Sequence, residues 1–312
     1  MNRKIIALVS IVAVLSLSAF VAYVNLPEVD GNPSLNDKGV YKLKAVYMPD
    51  RMESTPIAFG PMLYSIVNKR PHRGSWNESA LLVNWLYGGR EVSSTPTPGL
   101  GLISAFVNDG TAYVFATAYS GDAVKILESD NLENWTEPVT VLKAKAGQTI
   151  YNTSVTKGPA GYVMAYEVGE PGVVGFTPRF ATSPDLKNWT PVGEPFDRGR
   201  YAACPTLRHI DGWYYMLYLT ILDEDNAKKR FVTVAARSLD LKTWQHATKP
   251  AFEPIGGEGI NNSDVDMVQA LGVTTFLYAD GDQQDHVSLK RAVYLGSEGD
   301  FFRQFEYADK RL

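Results

Sequence analysis

The chain has 312 residues, 45% of them apolar and 21% charged, a balance that argues against wholesale disorder and allows a large buried core. The formal net charge is −4 and no stretch of the body is strongly basic, so the clustered positive footprint of a nucleic-acid partner is missing. Aromatic residues reach 12%, which suits an all-β fold or a sugar-binding surface.

At the N-terminus, Asn2-Arg3-Lys4 precede an uncharged run from Ile5 to Val24. A secretory signal has this order, but its apolar core is usually about 7–15 residues. About twenty apolar residues in a helix reach across a bilayer. Residues 1–24 therefore read either as a cleaved signal or as an uncleaved anchor that would make the membrane a partner. In both readings Arg3 and Lys4 mark the inner side. The rest is expected to be secreted, periplasmic, or anchored facing outside the cytoplasm. Residues 25–40, rich in Asn, Asp, Pro and Gly, read as a linker, and 41–312 as the folded domain.

Beyond residue 41, short β-branched and aromatic runs alternate with turns, and no sustained helical period appears. A first unit holds Thr55–Phe59, Met62–Val67, Ala80–Leu86 and Glu91–Ser94. A second opens with Ile103–Val107, the turn Asn108-Asp109-Gly110 and Thr111–Thr117. A third opens with Thr153–Thr156 and Tyr162–Glu167. The fourth is clearest: Cys204–Ile210, the hairpin turn Asp211-Gly212, Trp213–Leu219, then Phe231–Arg237. A fifth runs through Asp264–Gln269 and Val273–Tyr278, and the tail Phe301–Tyr307 is expected to supply or complete a closing strand.

One phrase recurs after the third strand of a unit: Ser129 to Trp135, Ser183 to Trp189 and Ser238 to Trp244, each reading Ser-x-Asp/Asn-Leu-x-x-Trp. A period of about 50 residues is the mark of propeller blades. The phrase itself reads as scaffold, with an Asx-turn and a tryptophan packed between neighbouring units. Five hairpin-led units predict a five-bladed β-propeller of four-stranded antiparallel blades. Cys204 is the single cysteine, so neither an internal disulfide nor a cysteine metal site can form. A buried small side chain is its plainest role.

The Ser-x-Asp-Leu-x-x-Trp turn, with the Gly-Trp-Tyr-Tyr-Met-Leu-Tyr strand at 212–218, resembles the five-bladed propeller glycoside hydrolases. These include the family 43 arabinanases and xylosidases, and relatives acting on furanosides, β-mannosides and agar oligosaccharides. The resemblance extends over residues 41–312. It implies hydrolysis of O-glycosidic bonds in an oligo- or polysaccharide, by inversion as in family 43 and with no required cofactor. Family 43 places acids at the inner-strand starts of its first three blades: a base, an Asp that modulates the acid, and an acidic Glu. The corresponding starts here are Glu53 (or Asp50), Leu102 and Thr153, so that trio does not carry over.

The remaining inner strands start at Cys204 and Asp264, which leaves Glu53 and Asp264 as the acids at such positions. A closed ring would set the first and fifth blades side by side. Asp266, two residues from Asp264, is expected on the same side of the strand, and Glu258 in the preceding loop is expected to reach the same pocket. Glu167 closes an apolar run at a strand end. Two carboxyl groups, one protonated and one ionised, do the work of most glycosidases. The catalytic candidates are therefore Asp264 or Glu53 as base and Glu167 or Glu258 as acid. Candidates for holding substrate are Asp266, Arg200, Tyr201, Trp76, Asn262 and His286, with Trp76 and Tyr201 stacking on a sugar face. Calcium stays open at the oxygen-rich run Asp280–Asp285, although that run lacks the EF-hand pattern. Two rival readings stay open as well: a glycan-binding propeller without catalysis, and a metal-stabilised surface protein. The sequence implies no oligomeric state.

Overall fold

The structure, a computed structural model, describes residues 34–35, 39–71, 74–222, 230–284 and 286–309. The apolar run at 1–24 and most of the 25–40 linker lie outside the described residues. A two-residue strand β1 (Ser34–Leu35) pairs with the long β2 (Val40–Pro49). Three antiparallel sheets of four strands then follow in chain order. The first contains β3 (Ser54–Phe59), β4 (Met62–Lys69), β5 (Ala80–Trp85) and β6 (Glu91–Pro96). The second contains β7 (Leu100–Asn108), β8 (Thr111–Ala118), β9 (Ala123–Ser129) and β10 (Val139–Lys143). The third contains β11 (Thr149–Gly158), β12 (Gly161–Gly169), β13 (Thr177–Ser183) and β14 (Thr190–Val192).

The remaining strands form one ten-stranded sheet built of two antiparallel blocks. One block is β15 (Ala203–Ile210), β16 (Trp213–Leu222), β17 (Arg230–Ser238) and β18 (Gln245–Ala247). The other is β19 (Asn261–Ala270), β20 (Val273–Gly281) and β21 (Val287–Tyr294), with β2 as its outer strand, in register from Val40↔Tyr294 to Pro49↔Ser288. The blocks join through a single parallel pairing, Phe231↔Asn261. The first strands of the units touch in the cyclic order β3, β7, β11, β15, β19 and back to β3. The units thus close on themselves in a propeller-like ring, and the pairing of β2 with β21 ties the chain's beginning to its end.

The closing strand is therefore β2, not the tail. Phe301 lies in a helix, α1 (Glu298–Arg303), opened by a capping box between Ser297 and Asp300. Phe301, Phe302 and Phe305 are all buried, and a helical turn brings these three to one apolar face where a strand would split them. Among the described residues the tail forms one strand, β22 (Tyr307–Ala308), which pairs with β18.

Local rules explain most of the rest. Three hairpins turn through residue pairs in the left-handed region: Asp109-Gly110, Asp211-Gly212 and Leu271-Gly272. Middle strands such as β16 are buried on both faces and so read as continuous apolar runs. In the recurring phrase, the Asn131, Asp185 or Asp240 side chain accepts from two backbone N–H groups at 2.8–3.0 Å. Its tryptophan seals the joint with the preceding unit. Trp244 stacks on Phe180 at 5.4 Å, Trp189 meets Phe115 edge-on at 6.0 Å, and Trp135 packs against the cluster holding Ile57 and Ile66.

Candidate active site

Four of the five first strands carry a bulge near their start: between Gly101 and Ser104, Ile150 and Thr153, Ala203 and Thr206, and Ser263 and Asp266. The strand β3 runs without one. A bulge sets two residues opposite one and re-aims a side chain. Leu102, Cys204 and Asp264 occupy equivalent bulge positions with φ of 50°, 49° and 52°, a conformation that costs a non-glycine residue about 1–3 kcal/mol. The equivalent residue in the third unit is Tyr151, one bulge away from the expected Thr153.

Three carboxylates gather at the channel mouth, Asp264 from a bulge, Glu53 from the segment before β3, and Glu167 from β12 through contacts with the cavity-lining Asn152 and Cys204. Glu53 and Asp264 line the cavity there, with Asn152 and Cys204 between them. Glu53, 4% exposed, stands just before β3 and its carboxylate accepts from Arg70. Glu167, 3% exposed at the end of β12, accepts from the Asn152 side-chain amide at 3.0 Å and the Cys204 backbone N–H at 2.7 Å. Burial outweighs those two donors, and the charges of Asp264 and Glu53 add to it, so the Glu167 carboxyl rises from 4.5 to about 7. Burial and then the Glu53 charge push Asp264 up to about 6, while Ser263, the Cys204 thiol and Arg70 pull the other way. Burial, together with Asp264 and Glu167, holds the Cys204 thiol well above its ordinary range. A thiol that stays protonated is no nucleophile.

The other expected residues divide. Tyr201 is at the site: burial, Cys204, Glu167 and Asp264 all raise its phenol. It belongs to a half-buried edge-to-face chain that runs from Tyr151 through Phe176 and Tyr201 to Phe231. Trp76 lies on the opposite side, with the Arg70 guanidinium 5.0 Å from its ring and Tyr119 edge-on at 5.2 Å. Both Trp76 and Arg70 rest on Gly101, where an added Cβ would come within 3.0 Å of each. Arg200 and His286 are exposed; the His286 ring sits 3.1 Å from Asp282, and neither residue lines the cavity.

Glu258 and Asn262 are engaged elsewhere, and Asp266 carries a counter-charge of its own. Glu258 is bound by Lys42 at 2.8 Å, the Tyr278 hydroxyl at 2.7 Å and the Ile255 N–H at 3.1 Å. Burial alone would raise its carboxyl, but the Lys42 charge and these hydrogen bonds hold it below the usual range, the opposite of what an acid catalyst needs. Asn262 is fully buried and accepts from the same Lys42. The bulge between Asp264 and Asp266 breaks their alternation: both line the cavity, but Asp266 is tied to Arg208 at 2.5 Å, which also reaches Glu298 at 3.3 Å. Among the described residues no group of three or more His, Cys, Asp or Glu is arranged to hold a metal ion. Asp280 pairs with Lys290 at 2.9 Å, and Asp285 lies outside the described residues.

Asn152 and the Cys204 N–H are partners that sequence reasoning did not single out, and it placed Arg70 only in the long loop of the first unit, without a role. Arg70 had a signal, since it and Glu53 flank the β3–β4 hairpin. Asn152 and the Cys204 amide had none, because each reaches Glu167 only through a bulge.

No family model matches this sequence, and no curated protein matches it. Solved structures do. The chain superposes on an α-L-arabinanase from Cellvibrio cellulosa complexed with arabinohexaose with a TM-score of 0.57 and 12% identity, covering 85% of this chain and 100% of that one. An exo-1,5-α-L-arabinanase from a bovine ruminal metagenomic library gives 0.57 and 11%, over 80% and 94%. A thermostable family 43 glycoside hydrolase gives 0.53 and 20%, over 64% and 72%. The fold is that of the family 43 glycoside hydrolases and their propeller relatives.

Proposed function

We propose that this chain is an extracytoplasmic glycoside hydrolase, a five-bladed propeller that cuts an oligo- or polysaccharide at the channel mouth between Glu53, Glu167 and Asp264. The observation that carries the reading is the convergence of three carboxylates, two buried and one partly buried, in unlike surroundings. Glu167, whose carboxyl is raised above that of Asp264, is the general acid: it gives its proton to the leaving glycosidic oxygen. Asp264 is the base, taking a proton from the water that attacks the anomeric carbon. Glu53, which accepts from Arg70, raises Asp264 toward the working pH through its charge. Inversion, as in the enzymes it resembles, fits an acid and a base with a water between them. Trp76 and Tyr201 flank the mouth and suit stacking on sugar faces. Secretion or anchoring follows from the apolar run at 5–24.

The test is a screen of the intact protein against arabino-oligosaccharides and a panel of aryl glycosides, with the product anomer read by NMR. Turnover by the intact protein is expected, with kcat/KM highest between the two carboxyl values, about 6 and about 7, since Asp264 must be ionised and Glu167 protonated. Because the sites interact, the two limbs belong to the pair. Binding of these sugars without any release of reducing ends would replace the hydrolase with a glycan-binding propeller.

A further inference from the structure

A second cavity of about 230 Å³ adjoins the first and shares Glu53 with it. It lies between the end of β2 and the turn after β4, and Arg51, Asn68 and Arg70 contribute to its wall. Its polar groups are unusual in being unmatched donors. Asn68 is 1% exposed, and its side-chain oxygen accepts from the Leu102 N–H at 3.1 Å, yet its amide nitrogen has no partner. Arg70 spends one terminal nitrogen on Glu53 and the other on the Pro71 carbonyl at 3.1 Å, while its Nε is buried without a partner. Arg51 donates to the Asp50 carbonyl at 2.6 Å and makes no ion pair among the described residues. A buried donor left unpaired forfeits its hydration without a compensating hydrogen bond. Two of them beside a cavity, with a guanidinium that meets no carboxylate among the described residues, call for a ligand that brings acceptors and negative charge. A carboxylate is acceptor-only when ionised and matches a guanidinium fork. The charge of Glu53 is already met by Arg70, and Asp50 is exposed, where a sugar hydroxyl can donate to it.

We propose that this cavity is a subsite for an acidic sugar, a uronosyl unit whose carboxylate meets Arg51, Arg70 and Asn68 while its neighbour in the chain enters the channel mouth across Glu53. The inference rests on the reading of the mouth as a glycan site, and it narrows the substrate class to uronate-bearing glycans.

The experiment is a titration of the intact protein with glucuronate and galacturonate against glucose and galactose, followed by calorimetry or saturation-transfer NMR. At low salt an acid sugar is expected to bind about ten-fold or more tightly than its neutral counterpart, with the preference shrinking as salt rises. Arg51→Met should remove that preference, and Arg51→Gln serves as a second variant if the first misfolds by circular dichroism. Equal binding of acid and neutral sugars, no binding of either, or a preference that survives loss of Arg51 overturns the subsite. Binding needs no turnover, so the two readings fail separately. A protein that prefers uronates but cuts nothing loses only the hydrolase, and one that cuts neutral glycosides without the preference loses only the subsite.

Discussion

Two buried clusters of acids in this fold are made of similar side chains and have opposite electrostatics. At the joint where β2 closes the ring, Glu258 and Asp280 meet Lys42 and Lys290. At the channel mouth Glu53, Glu167 and Asp264 share, among the described residues, the single cation Arg70. The joint is matched charge for charge, and Glu258 is held ionised. The mouth is short of cations, so two of its carboxyls climb toward neutral pH. A buried pair that balances is explained by structure alone. A buried surplus of like charge has to be sustained by the rest of the fold and is the mark of a site built for proton transfer.

The comparison is broken most decisively at the mouth. Glu167→Gln and Asp264→Asn are each expected to lower kcat by about 10²–10⁴-fold while circular dichroism stays that of the intact protein. Comparable turnover in either variant would remove that residue from the chemistry. The joint predicts the reverse pattern. Lys42→Met strands Glu258 and Asn262 and should cost about 3–5 kcal/mol of stability, read by urea denaturation, while any properly folded fraction keeps its pH profile.

A smaller effect separates the clusters by pH. Glu167 binds its proton more tightly folded than unfolded, so its burial weakens folding as pH rises from about 4.5 to about 7 and the loss is complete above that. Glu167→Gln should therefore gain stability over the natural chain across that window, by on the order of 1–3 kcal/mol, and show no further change above it. A pH-independent difference would show that the carboxyl is not held protonated. Smallest of all, Asp240→Ala removes the acceptor for the Lys242 and Thr243 N–H groups in one exposed turn. It should lower Tm by only about 1–3 °C and leave sugar binding unchanged.

Much of the architecture was legible because its signals are local. Asp-Gly and Leu-Gly hairpins, the doubly buried middle strands and the recurring Trp135, Trp189 and Trp244 each depend on a few neighbouring residues and on side-chain period. The closing strand was not legible. Pairing β2 with β21 joins residues about as far apart as the chain allows, and the tail's apolar residues Phe301, Phe302 and Phe305 suit a helix face or a strand until a partner surface chooses between them.

The site divides along the same line. Residue chemistry by itself marked Glu53, Glu167 and Asp264 as acids out of place on channel-facing or apolar strands, and the structure brings these three together. Glu258 and Asp266 have the same chemistry and an equally polar setting in the sequence. Only the tertiary structure gave each a counter-charge, by placing Lys42 against one and Arg208 against the other. The bulges decided the rest. An inserted residue is invisible in hydrophobic period, yet it separates Asp264 from Asp266 and turns the Cys204 N–H onto Glu167. Sequence thus determines which groups can ionise, and the fold determines which of them are left without a counter-charge.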